Sequence, residues 1–138
     1  MSDKRARLKI TGCTDTGLRR KYNQDHIGYE QSLGIAVLAD GMGGHQAGEV
    51  AARMAVESVL EKLHKLASGK SSGSITGSRL LEFVSNTISD SNTEICQASD
   101  AHEECKGMGT TIVAAIVEGS HLYAGHVGDS RLYLYREQ

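Results

Sequence analysis

Proline and tryptophan are absent from this sequence, phenylalanine occurs once, and cysteine only three times. Average usage would give about seven prolines, so Pro-rich spacers and collagen-like repeats are excluded. Cys13, Cys96 and Cys105 are an odd number without C-x-x-C spacing, which excludes a disulfide framework and a zinc ribbon. Reduced thiols in a cytoplasm are the expectation. No apolar run approaches the ~18 residues that a membrane-spanning helix needs. The longest such runs, residues 34–39 and 112–117, have the length of strands. The first ten residues are charged and lack the apolar stretch of a signal peptide. These absences predict a soluble intracellular protein with no membrane partner.

What is present fits one domain of 138 residues, with 39% hydrophobic and 23% charged residues and a net charge of −2. Charge is unevenly placed: residues 1–21 carry seven Lys/Arg against two Asp/Glu, and the rest carry eight against fifteen. The basic arm has no interleaved aromatics and no nucleic-acid reader module. It reads as a solvated segment beside an anion site, and no nucleic-acid partner is expected.

Residues 8–12 alternate weakly, and residues 26–30 and 33–39 are further strand candidates, the last apolar throughout and expected to be buried on both faces. Ala52, Val56, Val59, Leu63 and Leu66 step by four and three, which predicts a helix over 47–66. Residues 67–78, eight of them Gly or Ser, read as a flexible loop. A second helix is expected over 80–97, with Leu81, Val84, Ile88 and Ile95 on its apolar stripe. Strands at 110–117, 121–127 and 131–136, joined by short turns, predict an antiparallel meander. Strands, two helices, then strands make an α+β protein.

Chemistry concentrates in three segments. Residues 34–51 end a strand in Asp40, pass through Gly41, Gly43, Gly44 and Gly48, and open a helix. A carboxylate at the mouth of a strand, beside glycines that permit close backbone approach, suits a hard metal ion held by oxygen atoms. An aspartate that caps the helix or closes a turn is the alternative. A dinucleotide site fails because G-x-G-x-x-G would need Gly or Ala at Gln46, and a P-loop fails for want of G-K-[ST]. In residues 19–25, an arginine fork suits a phosphate, and Asp25 suits a water held by metal. The third segment, His126 to Arg131, contains Gly128-Asp129-Ser130, which alone is ordinary turn chemistry. The six histidines show no metal-ligand spacing, and His45 in the glycine loop is the one of interest. Cys13 and Arg19 form C-x5-R, the spacing of a cysteine phosphatase loop, but Asp15 within it opposes both a thiolate and a phosphate dianion.

In this order, R-x-x-N-Q-D, A-D-G-M-G-G-H-x-x-G-E-x-A, G-M-G-T-T and G-H-V-G-D-S-R resemble the metal-dependent type 2C protein phosphatases, the bacterial branch above all. Each motif is weak or moderate alone; four in register over residues 8–136 are specific. The resemblance implies a four-layer sandwich of two antiparallel β-sheets flanked by helices. It implies hydrolysis of phosphoserine and phosphothreonine in proteins by a water activated between two Mn²⁺ or Mg²⁺ ions. By the same resemblance, Asp40 bridges both ions and Gly41 offers a backbone carbonyl. Arg20 holds the substrate phosphate, Asp25 with Gln24 orients waters on the metals, and Asp129 helps hold a third, weaker ion. The implied partners are phosphoproteins made by a cognate Ser/Thr kinase.

Three departures from the family stand out. Gln24 occupies a place where many members carry glutamate, and Met42 a place where eukaryotic members carry a histidine proposed as general acid. Residues 1–138 correspond to the N-terminal part of one catalytic domain, ahead of the family's S-D-G and D-N motifs, whose aspartates complete the metal shell. A truncated catalytic domain is therefore the expectation. A non-catalytic phosphoprotein-binding or regulatory module of the same fold is the alternative.

Overall fold

The central strand of the sheet alternates between a covered and an open face. A computed structural model describes residues 8–43, 47–69 and 77–137. In it, β2 (Ile35–Met42) buries Ile35, Val37 and Ala39, while Leu38 and Met42 are 41% and 65% exposed. The sequence expectation of burial on both faces is therefore corrected. Helices cover only the face that carries the odd-numbered residues, and the even-numbered side chains point the other way.

Two hairpins supply the sheet. In the first, β1 (Asp25–Glu30) pairs antiparallel with β2 through a tight turn in which Gly34 takes φ 69°. A Cβ on Gly34 would stand 2.6 Å from the Val117 carbonyl oxygen, so glycine is required on both counts. In the second, β4 (Ile112–Glu118) pairs with β5 (His121–Val127) across a two-residue turn. Pairing of β2 with β4 joins them in the order β1-β2-β4-β5, all antiparallel, and the short β3 (Gly109–Thr110) extends the ladder along β2. The two-residue β3 was not separated from the following strand by the sequence pattern.

Both expected helices form, α1 over Ala47–Ser68 and α2 over Ser78–Ala101. Ala52, Val56, Val59 and Leu63 of α1 are buried as their spacing indicates, while Glu49, Arg53, Glu57, Glu61 and Lys65 remain exposed. The stripe expected for α2 needs correction. Leu81 is 49% exposed, and the buried line is Leu80, Val84, Thr87, Ser91 and Ile95. Two small polar residues occupy core positions there, so counting apolar residues alone placed the inward face one residue off at its start. Lys62 of α1 and Glu94 of α2 pair at 2.6 Å across the helix–helix contact.

Gly28, Val37, Ala114 and Gly125 form one row across the four strands on the helix side. The glycines at its ends admit the helices: a Cβ on Gly28 would lie 2.8 Å from Val56 Cγ1, and one on Gly125 would lie 3.0 Å from Ile88 Cδ1. On the opposite face, residues 10–13 and 131–132 line a groove of about 350 Å³ with Ile27, Leu38 and Val113. The segments 8–12 and 131–136, expected as strands, lie outside the sheet and find no ladder partner among the described residues. Of the expected four layers, the described residues supply one antiparallel sheet and its helical layer, and the α+β class holds. Residues 70–76 of the expected Gly/Ser loop lie outside the described residues, as does His45.

Gly28→Ala is expected to destabilise the chain by about 1–2 kcal/mol, because overpacking outweighs the entropy gained by losing a glycine. Urea unfolding monitored by circular dichroism measures it, and Gly28→Val should lose more.

Candidate metal centre

The end of the sheet gathers the residues that the motifs single out. Asp25 opens β1 directly opposite Asp40 of β2, so both side chains leave the open face side by side. Asp40 is exposed, not sunk in the core as a strand apolar on both faces would require. The Asp25 carboxyl is held above the usual value of 3.8, first by desolvation, then by the charge of Asp40 and a hydrogen bond shared with it. The Arg20 guanidinium pulls in the other direction, which places Arg20 within electrostatic reach of the pair.

Local hydrogen bonds hold this corner. The Asn23 carboxamide oxygen accepts the Asp25 N–H at 3.0 Å, and its nitrogen donates to Thr14 Oγ1 at 2.9 Å. Asn23 thus ties the start of β1 to the segment that precedes it, a role the motif did not disclose. The Gly41 N–H donates to the Gln24 carbonyl at 2.9 Å. A Cβ on Gly41 would fall 1.9 Å from the Gly48 carbonyl oxygen, and one on Gly48 would fall 2.9 Å from the Gln24 carboxamide. These two glycines bring the start of α1 onto the end of β2. Gln24 Nε2 donates to the Gly43 carbonyl at 3.4 Å, so its side chain braces the glycine loop.

Asp129 does not join the pair. It lies exposed in the turn after β5, and among the described residues no three His, Cys, Asp or Glu side chains converge as metal ligands would. Its turn is nevertheless anchored close by: Ser130 Oγ lies 2.6 Å from Thr111 Oγ1, and a Cβ on Gly128 would touch the Thr111 side chain at 2.7 Å. Cys13 is exposed ahead of β1, and no helix follows it through Arg19 as a cysteine-phosphatase loop would demand. The remaining donor set is two facing carboxylates, all oxygen, whose mutual repulsion a hard dication relieves. Such an ion can be held by one or two carboxylates with waters filling the other positions, so the residues present fit Mg²⁺ or Mn²⁺.

The family model for protein phosphatase 2C matches residues 18–138. The chain belongs to the protein phosphatase 2C family. Its relatives include the serine/threonine phosphatase stp of Listeria monocytogenes, 39% identical over 124 residues, and PstP of Mycobacterium tuberculosis, 34% identical over 130 residues. The chain spans 47% of the first and 23% of the second, while 88% and 94% of it are matched. Among solved structures, Stp1 of Staphylococcus aureus superposes with a TM-score of 0.72 at 35% identity, over 86% of this chain and 46% of that one. The catalytic domain of PstP, solved in complex with two manganese ions, superposes at 0.67 with 34% identity, over 85% and 46%. Family membership bears out the resemblance read from the four motifs.

A carboxyl whose folded pKa is raised is a liability above its unfolded value and neutral below it. With chelator present, Asp25→Asn is therefore expected to melt at a higher temperature than the parent at pH 7. That advantage should shrink as pH falls through the Asp25 titration and vanish below about 3.8. Thermal melts in EDTA across pH check it.

Proposed function

We propose that this chain carries half of the active site of a cytoplasmic phosphoprotein phosphatase, hydrolysing phosphoserine and phosphothreonine left by a Ser/Thr kinase. The observation that supports this most directly is the Asp25–Asp40 pair, opposite each other at the sheet end within the electrostatic reach of Arg20. Paired carboxylates next to a guanidinium match a reaction in which a phosphate dianion must be gripped and a water deprotonated.

Phosphate monoesters hydrolyse very slowly unaided, so the barrier to be removed is large. Two divalent ions, when bound, supply a more acidic water and neutralise phosphoryl oxygens. Asp40 would hold both ions and Gly41 would add its carbonyl. Asp25 would orient the attacking water. Arg20 would grip two phosphoryl oxygens through its planar fork. Gln24 would act one step removed, by bracing the loop beside Gly41. Asp129 would serve a third ion. Met42 cannot donate a proton, so the leaving group would take one from water or from another residue.

A second reading is a phosphoprotein-binding module without turnover. It is favoured by the absence, among the described residues, of a third converging ligand. In that case the 138-residue chain binds a phosphopeptide through Arg20 and releases no phosphate.

In a complete catalytic domain with Mn²⁺, Asp40→Asn should lower kcat on p-nitrophenyl phosphate by more than about 100-fold, beyond the range of outer-shell changes. Arg20→Ala should raise KM more than it lowers kcat. EDTA should abolish turnover and alkylation of Cys13 should not. Near-parent turnover in Asp40→Asn at saturating Mn²⁺ overturns the metal reading.

A further inference from the structure

Asp40 sits at a rung of the β2 ladder where a side chain replaces a backbone carbonyl. Leu38 faces Val113 and Gly41 faces Thr110, which puts Thr111 across from Asp40. In an ordinary hydrogen-bonded antiparallel pair, the two residues exchange both N–H···O=C bonds. Here one bond is ordinary: the Thr111 N–H donates to the Asp40 carbonyl at 2.9 Å. The other is not. The Asp40 N–H donates to Thr111 Oγ1 at 3.0 Å, and the Thr111 carbonyl instead accepts from Thr110 Oγ1 at 2.9 Å. The same Thr111 hydroxyl meets Ser130 Oγ at 2.6 Å.

We propose that Thr111 is a positioning residue that fixes the Asp40 backbone and couples it, through Ser130, to the turn carrying Asp129. The proposal rests on the reading of Asp40 as a metal ligand. A hydroxyl suits the task because it accepts the Asp40 N–H and can either donate to Ser130 Oγ or accept from it, whereas a backbone carbonyl can only accept. The Thr111 methyl adds a second hold, since Gly128 leaves no room for a Cβ between the turn and that side chain. Asp40 is thus clamped from both sides: Asp25 stands across from it on β1, and Thr111 takes both of its backbone hydrogen-bonding groups. Displacement of the Asp129 turn is felt at Asp40 through two hydrogen bonds.

Mn²⁺ titration of the 138-residue chain, followed by electron paramagnetic resonance of the free ion, tests this together with amide exchange at Asp40. Thr111→Val should weaken Mn²⁺ binding about tenfold or more, as loss of an outer-shell partner does, and Thr111→Ser should restore it. Ser130→Ala should weaken it less, and the double variant Thr111→Val/Ser130→Ala should bind no worse than Thr111→Val alone. The Asp40 amide should exchange faster in Thr111→Val while that of Val37 in the same strand does not. Parent-like Mn²⁺ affinity in Thr111→Val, or independent multiplication of the two effects, overturns the proposal. If the parent chain binds no Mn²⁺, or binds it equally well as Asp40→Asn, the metal reading itself fails. The exchange arm then judges the clamp alone: an unchanged Asp40 amide overturns it. Should Thr111→Val not fold, an unchanged Mn²⁺ affinity in Ser130→Ala overturns it.

Discussion

Register between strands is the constraint on which the rest of this molecule depends. A shift of one residue in the pairing of β1 with β2 would send Asp25 and Asp40 to opposite neighbours and turn the apolar row of β2 outward. The register is held by burial on the helix side, where Ile35, Val37 and Ala39 fit beneath α1. Hydrophobic packing on one face therefore sets the spacing of carboxylates on the other. The repulsion between those carboxylates is tolerated because the fold is stabilised elsewhere.

Glycine marks the places where this division becomes tight. Gly28 and Gly125 let the helices approach the sheet, and Gly41 and Gly48 let the start of α1 meet the end of β2. The first pair serves packing and the second serves the site. Both act by leaving space for neighbouring atoms, not by adopting left-handed conformations.

Much of this was legible in the residues. The period of α1, the hairpin at 119–120 and the Asp40 strand-to-loop junction all follow from local patterns that the tertiary structure reinforces. The inward face of α2 was not, because Thr87 and Ser91 fill core positions that hydrophobicity alone does not mark. Burial of β2 on both faces was misread because a run of small apolar residues looks the same whether one face or two are covered. The segments at 8–12 and 131–136 alternate like strands, yet a ladder needs a partner as well as a pattern. At the site, Asp25, Asp40 and Arg20 could be named from motifs. The bracing by Asn23, the direction of the Gln24 amide and the substituted rung at Thr111 depend on hydrogen bonds between segments far apart in sequence.

That rung also has a bearing on how the chain folds. The β1–β2 and β4–β5 hairpins each close over a few residues, whereas the seam between β2 and β4 closes a loop that contains both helices. Closing a long loop forfeits more chain entropy than closing a short one, and such distant pairings slow folding. Asp40 and Thr111 meet on that seam. The carboxylate pair can therefore assemble within a single local hairpin, but its clamp exists only after the two halves of the sheet have zipped together, so the finished site doubles as a marker of completed topology.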